Sequence, residues 1–198
     1  QVLSDHSDRL AIIVTHAYMH RGDQRMDRLV GEFNGSPYSY GTADLPGGTS
    51  DGGDLWRDLV SQHPNTVMVL SGHINGESRV SDATSYGNVV HQMLTDYQGR
   101  PEGGEGFLRL IEIAPGSSTL RFRTYSPWQE RYFTGPGSHF ELELLTAPGF
   151  DGRIFPGDYT LDGRVDLEDL NLVLGGFGQP FTLEDLNRVL GDFGSAAD

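Results

Sequence analysis

The chain has 198 residues, 36% of them hydrophobic and 21% charged, which suits one globular domain with room for a small appended module. Its 28 acidic against 14 basic residues, all of them arginine, give a net charge of −14, which makes nucleic acid and anionic membrane poor partners. No apolar run reaches the roughly 18 residues of a membrane helix, and the lack of cysteine excludes disulfides and thiolate zinc sites.

The sequence opens on Gln1 without a charged segment leading into an apolar core, so any export signal is expected to lie outside it. Leu10-Ala11-Ile12-Ile13-Val14 is short and β-branched and predicts a strand buried on both faces, with His16 just past its exit. Residues 31–53 are rich in Gly, Pro, Ser and Tyr without periodicity and predict a long functional loop. Asp54 is placed to cap a helix over Leu55 to His63, where Leu55, Trp56, Leu59 and Val60 recur at helical spacing until Pro64-Asn65. The strand Thr66 to Leu70 follows, and His73 again stands directly after a strand.

Beyond it the rhythm changes to strands separated by turn residues: Val89 to Thr95, Phe107 to Ile113, Thr119 to Tyr125 and His139 to Leu145, with a hairpin turn at Pro115 to Ser118. Leu120, Phe122 and Thr124 alternate with Arg121, Arg123 and Tyr125, so this half predicts an antiparallel sheet attached to a βαβ half. His20, His63, His91 and His139 read as structural, Trp56 as core, Glu102 and Glu105 as solvated, and Tyr97 as ordinary packing.

Thr146-Ala147-Pro148-Gly149 opens a linker, which divides the chain into a domain at 1–147, a linker at 148–156 and a module at 157–198. The segment 158–169 sets Asp158, Thr160, Asp162, Asp166 and Asp169 at loop positions 1, 3, 5, 9 and 12, with Gly163 at 6 and the Arg164 carbonyl at 7. A calcium ion wants six to eight oxygens around such a turn, so these residues are expected to bind one. The competing reading is an acidic turn in which Asp166 caps the following helix. VDLEDLNLVLGGFG at 165–178 recurs at 181–194 as FTLEDLNRVLGDFG, matching at ten of fourteen positions with a period of 16. Each copy predicts a short helix, and Leu170, Val173 and Leu174 are expected to pack on Leu186, Val189 and Leu190. This pair of units resembles type I dockerins, although the second copy lacks an acidic ladder, so the resemblance implies a single calcium ion and a cohesin-like or cell-surface protein partner.

Val14-Thr15-His16-Ala17-Tyr18 and Ser71-Gly72-His73-Ile74-Asn75-Gly76, each after a strand, resemble the later metal motifs of calcineurin-like metallophosphoesterases. Asp96-Tyr97-Gln98, the run Gly103 to Arg109 and Thr124 to Pro127 look like segments of a secreted bacterial branch of that family. The resemblance implies the C-terminal half of an α/β metallophosphoesterase β-sandwich with flanking helices, carrying a small helical dockerin-like module. It further implies an exported hydrolase of phosphate esters that uses Mn, Fe or Zn, with His16 and His73 as metal ligands and Asn75 where the family has histidine. Gly72 would let the backbone approach the metals. The family's earlier motifs, with the bridging aspartate and the catalytic histidine, have no counterpart before His16, so no catalytic residue is assigned and this chain alone is expected to be weakly active or inactive. The alternative is a non-catalytic extracellular protein that binds or scaffolds in a calcium-dependent way.

Overall fold

A computed structural model describes residues 1–7, 9–40, 47–113, 118–147, 159–160, 164–178 and 181–195. After a one-turn helix α1 (Val2–Asp5), a four-stranded sheet forms from β1 (Ala11–Val14), β4 (Thr66–Ser71), β5 (Gly76–Ala83) and β6 (Val89–Asp96). In the order β1-β4-β6-β5, the first three strands run parallel and β5 returns antiparallel to β6. A second, antiparallel sheet has the order β10-β8-β7, formed by β7 (Leu108–Ile113), β8 (Thr119–Ser126) and β10 (His139–Glu143), with β9 (Arg131–Phe133) on the end of β8. The small hairpin of β2 (Met19–His20) and β3 (Gln24–Arg25) lies beside β5 and β6. The whole is mixed α/β, with several sheets and few helices.

Val67, Met68, Met93, Leu120 and Phe122 fill the space between the two large sheets. Tyr18, Met19, Met26, Val69, Val90 and Leu94 cover the other face of the first sheet, together with Leu55 and Trp56. Burial on both faces accounts for the unbroken apolar run of β4, and each fully buried side chain such as Phe122 stabilises the fold by roughly 1.5–3 kcal/mol.

Three local expectations are corrected. β1 is an edge strand with β4 on one side only, and it is not buried on both faces: Ile12 is 42% and Val14 75% exposed. The helix α2 (Gly52–Asp58) is capped by Asp51, whose carboxylate accepts from the Asp54 amide while Asp54 returns the bond as the third helical residue. The helix starts early because Gly52 and Gly53 fit where a Cβ would lie 2.1 Å from the Tyr18 carbonyl oxygen and 2.2 Å from Asp27 Cγ. It ends at Asp58 and a 3₁₀ turn, Val60–Gln62, replaces its last turn. β5 has no apolar run to announce it; it is held by its register on β6 and by Ser78 and Glu77.

The hairpin residues 114–117 and the linker 148–156 lie outside the described residues. In the C-terminal module, α4 (Leu167–Gly175) and α5 (Leu183–Asp192) close on Val165, Val173 and Val189, with Tyr159, Leu170, Phe181 and Leu186 around them. Leu174 and Leu190 do not join the pairing, being 50% and 55% exposed. Val165, which precedes α4, fills the centre instead, with Phe181 ahead of α5 packed against it, and the i+4 leucines stay on the outer edge.

Candidate functional site

Parallel strands bring their C-terminal ends to one side, so β1, β4 and β6 deliver there His16, His73 and Asp96, respectively. The two histidines each follow their strand by two residues, and the Gly72 amide donates to the His16 carbonyl at 3.0 Å, tying the exits together. Their rings meet edge to face with centroids 4.6 Å apart. His73 adopts a left-handed backbone with φ of +69°, uncommon for a residue with a Cβ. Gln98 Nε2 donates to its carbonyl at 3.1 Å and helps fix it.

Tyr40, from a 3₁₀ turn at Pro37–Tyr40 in the long loop, sets its hydroxyl against His73 Nε2 and also against the Gly35 carbonyl at 2.8 Å. The carbonyl can only accept, so the phenol proton goes to it and His73 Nε2–H donates to the phenol oxygen. That network assigns the lone pair of neutral His73 to Nδ1. Burial pushes the His73 pKa down, repulsion from His16 adds to this, and Asp96 opposes both. A neutral imidazole with a lone pair is what a transition metal requires, so His73 is in the form in which an imidazole could ligate one. Among the described residues, no group of three or more His, Asp or Glu side chains gathers closely enough to hold an ion.

Asn75 lies apart from the histidine pair in its contacts, seated on Gly99 in a cleft of about 430 Å³ lined by Glu77, Asp96, Tyr97 and Arg100. A Cβ on Gly99 would come within 2.7 Å of the Asn75 amide group, so a side chain there would push Asn75 from its seat. Gly35 has the same role beside His73, where a Cβ would meet Ile74 Cδ1 at 2.6 Å. At Gly72 a Cβ would find only ordinary protein contacts, at 3.7 Å.

Asp96 lines both this cleft and a neighbouring cavity of about 520 Å³ that also touches Thr15, Gly72, Gln98, Phe107 and Arg109. Sequence reasoning missed Asp96 and Tyr40. The former closes an apolar strand run just as the histidines follow theirs, which is a usable signal; Tyr40 reaches His73 across 33 residues of chain and has none.

Behind Asn75 and Asp96, their neighbours Glu77 and Tyr97 join the two sheets. Glu77 Oε1 accepts from Tyr97 at 2.5 Å, Arg109 at 2.6 Å and Thr124 at 3.2 Å, and Oε2 accepts from Ser138 at 2.6 Å. The Tyr97 hydroxyl thus belongs to this network, while the residue also lines both cavities. His91 is structural, bonded to Ser81 and to the Glu143 carbonyl, each at 2.8 Å.

In the C-terminal module, Asp158 and Asp162 lie outside the described residues. Thr160 and Asp169 come together, Thr160 donating to Asp169 Oδ1 through its amide at 2.8 Å and its hydroxyl at 3.0 Å. Asp169 is fully buried, and its other oxygen accepts from the Asp166 amide at 2.9 Å. Asp166 caps α4 by accepting from the Glu168 amide, as the competing reading of this turn holds. Arg164 is exposed at the loop's seventh position, where a ligand would be its backbone carbonyl. The described members of the expected donor set are oxygens, the type a hard cation takes, and both oxygens of Asp169 accept from protein groups here.

No family model matches the chain. The uncharacterized protein YvnB of Bacillus subtilis (strain 168) is 36% identical over 160 residues, covering 75% of this chain and 11% of that relative. The chain therefore spans about a tenth of the length of the curated relative it matches. No solved structure matches it.

Proposed function

We propose that the chain is the metal-binding part of an exported hydrolase of phosphate esters, with a calcium-binding, dockerin-like tail that attaches it to a cohesin-like or cell-surface partner. The observation that supports this most is the pair of histidines at adjacent parallel strand exits, 4.6 Å between ring centroids, with His73 kept neutral. His16 and His73 would hold a divalent transition metal, which when bound polarises a phosphoryl oxygen and acidifies a water. Around it this chain's residues have simpler duties. Tyr40 holds His73 in one tautomer, Gln98 fixes its backbone, and the Glu77–Arg109 pair holds the strand that follows Asn75. The second reading, a non-catalytic extracellular calcium-dependent scaffold, draws on Tyr40, whose phenol occupies a ring nitrogen of His73.

Manganese titration of the purified chain, followed by calorimetry, separates the two readings. Binding that disappears in His16→Ala and in His73→Ala supports the hydrolase reading; binding unchanged in both variants sinks it. Turnover of an aryl phosphodiester is expected to be very low even with manganese, because two histidines and an amide give at most half of a two-metal shell.

A further inference from the structure

Asp96 ends β6 in the wall between the two cavities, half-buried and with its charge unanswered. Its Oδ1 accepts from the Gln98 amide at 2.9 Å; among the described residues no hydrogen bond reaches Oδ2 and no ion pair reaches the carboxylate. The two arginines that line these cavities are committed elsewhere. Arg109 donates to Glu77 at 2.6 Å, to the Gly137 carbonyl at 2.9 Å and to Thr124 at 3.0 Å. Arg100 pairs with Glu105 at 3.2 Å, and its guanidinium stands 4.1 Å from the centre of the Phe133 ring. A carboxylate drawn partly out of water without a partner is costly, so a cation is what this position lacks. Oδ2 lies toward Gly72, where an added Cβ would stand 3.7 Å from it, and Gly72 lines the cavity of about 520 Å³. The remaining walls of that cavity are largely apolar: Val14, Leu70 and Met93 come from the first sheet and Ile111 from the second, with Phe107 just ahead of it. Its volume is that of a small-molecule site, and it opens at the C-terminal strand ends, where open α/β sheets hold ligands.

We propose that this cavity binds a small organic amine, with the ammonium group on Asp96 and the apolar body between the two sheets. An ammonium donates a charge-assisted hydrogen bond to Oδ2, stronger than a neutral donor gives and stronger still beside apolar walls. An anion finds no such welcome, because both arginines of the lining are taken and Asp96 repels it, as does a chain of net charge −14. A neutral apolar molecule would fill the walls and leave Oδ2 unanswered. The amine also covers Val14, which is 75% exposed on the edge strand β1. Thr15 and Gly72 in the lining are chain neighbours of His16 and His73, so the amine lies alongside the histidine pair without using either ring. The site therefore needs no metal and does not depend on the hydrolase reading.

Calorimetry of the full chain with 1-naphthylmethylamine tests this, with 1-naphthalenemethanol and 1-naphthoate as the neutral and anionic counterparts on the same ring. The expected result is one amine per chain, bound about 10-fold or more tightly than the alcohol, with naphthoate weaker still. Asp96→Asn keeps an acceptor for the Gln98 amide and removes the charge; it should weaken the amine about 10- to 100-fold and leave the alcohol unchanged. Val14→Trp, at an exposed position, should weaken amine and alcohol alike by filling the mouth of the cavity. Both variants should melt close to the parent, which separates lost binding from lost folding. His16→Ala and His73→Ala should still take up the amine, and since they also decide manganese binding, the two readings fail separately. No amine uptake, equal binding of amine and alcohol, or an Asp96→Asn variant that binds the amine as the parent does overturns the proposal. Manganese that displaces the amine and is itself lost in Asp96→Asn overturns it too, by giving the carboxylate to a metal ion.

Discussion

A carboxylate leaves water at a loss unless its oxygens find donors inside, and Glu77 has Tyr97, Arg109, Thr124 and Ser138. Burial pushes its pKa up, and the hydrogen bonds from Ser138 and Tyr97 with the charge of Arg109 outweigh this and hold it below the usual range. The native state therefore binds this proton less readily than the unfolded chain does. The stabilisation is present above the ordinary carboxylate pKa and is lost as pH falls through the lower native value. The Arg109 side chain is only 8% exposed, so Glu77→Gln leaves a nearly buried guanidinium without its charge partner. We expect a loss of about 3 kcal/mol in urea unfolding at pH 7, at the low end for buried pairs because Glu77 keeps some solvent contact. At pH 3 the gap between variant and parent should shrink; an unchanged gap would show that the charge is not what matters. His73 offers a second check by proton NMR. Its titration midpoint should fall below 6.5, and rise in Tyr40→Phe only if the phenol contributes to its burial. His16 and His73 were legible in the sequence because a histidine directly after an apolar strand run is a local pattern. Glu77 and Tyr40 were not, since their partners stand 20 to 61 and 33 residues away, respectively, and no local periodicity encodes such distances.

Elements with a strong period were read correctly, and those whose character depends on their neighbours were not. The β4 run, the alternation of β8 and the duplicated helices follow from apolar spacing alone. β1 has the same composition as a doubly buried strand, but its position at the sheet edge leaves Ile12 and Val14 open, and edge position is a property of topology. β5, polar along most of its length, is a strand because β6 and the Glu77 network hold it there. In the module, repeat symmetry pointed to four leucines and two valines, but only the valines are fully buried, Leu170 and Leu186 are half-buried, and Leu174 and Leu190 stay in solvent. The mutational ranking follows directly. Val173→Ala should destabilise the module by about 2 kcal/mol through two lost methyl contacts and a cavity, and Leu170→Ala should fall near the bottom of the roughly 2–5 kcal/mol range for buried leucines. Leu174→Ala should stay within about 0.5 kcal/mol, as surface changes do. Amide hydrogen exchange of α4 and α5 reads all three, and a Leu174→Ala effect as large as that of Val173→Ala would mean the helices pair as the leucine stripe suggests.

At the scale of the molecule, the buried clusters divide cleanly along the chain. Every residue of the two sheet cores lies between Ile13 and Leu144, and every residue of the module's core between Tyr159 and Val189. A cooperative unit unfolds together because its buried surface is shared, and these clusters have no residue in common. The β-sheet part and the module should thus melt as separate transitions in calorimetry of the full chain. The module, with three fully buried valines at its centre, has a small core and should be the weaker. If the module binds calcium as proposed, an ion that prefers the folded loop adds, by mass action at about 100 times its dissociation constant, about 2.7 kcal/mol to the module alone. For so small a unit that is a large share of its stability, and chelation with EGTA should move its transition down by many degrees. The sheet transition should stay where it is, because none of its buried groups contributes to the loop. Manganese gives the reverse arrangement if His16 and His73 hold it, raising the sheet transition and leaving the EGTA-treated module unchanged. One transition that shifts as a whole with calcium would show instead that the linker region joins the two cores into one cooperative unit.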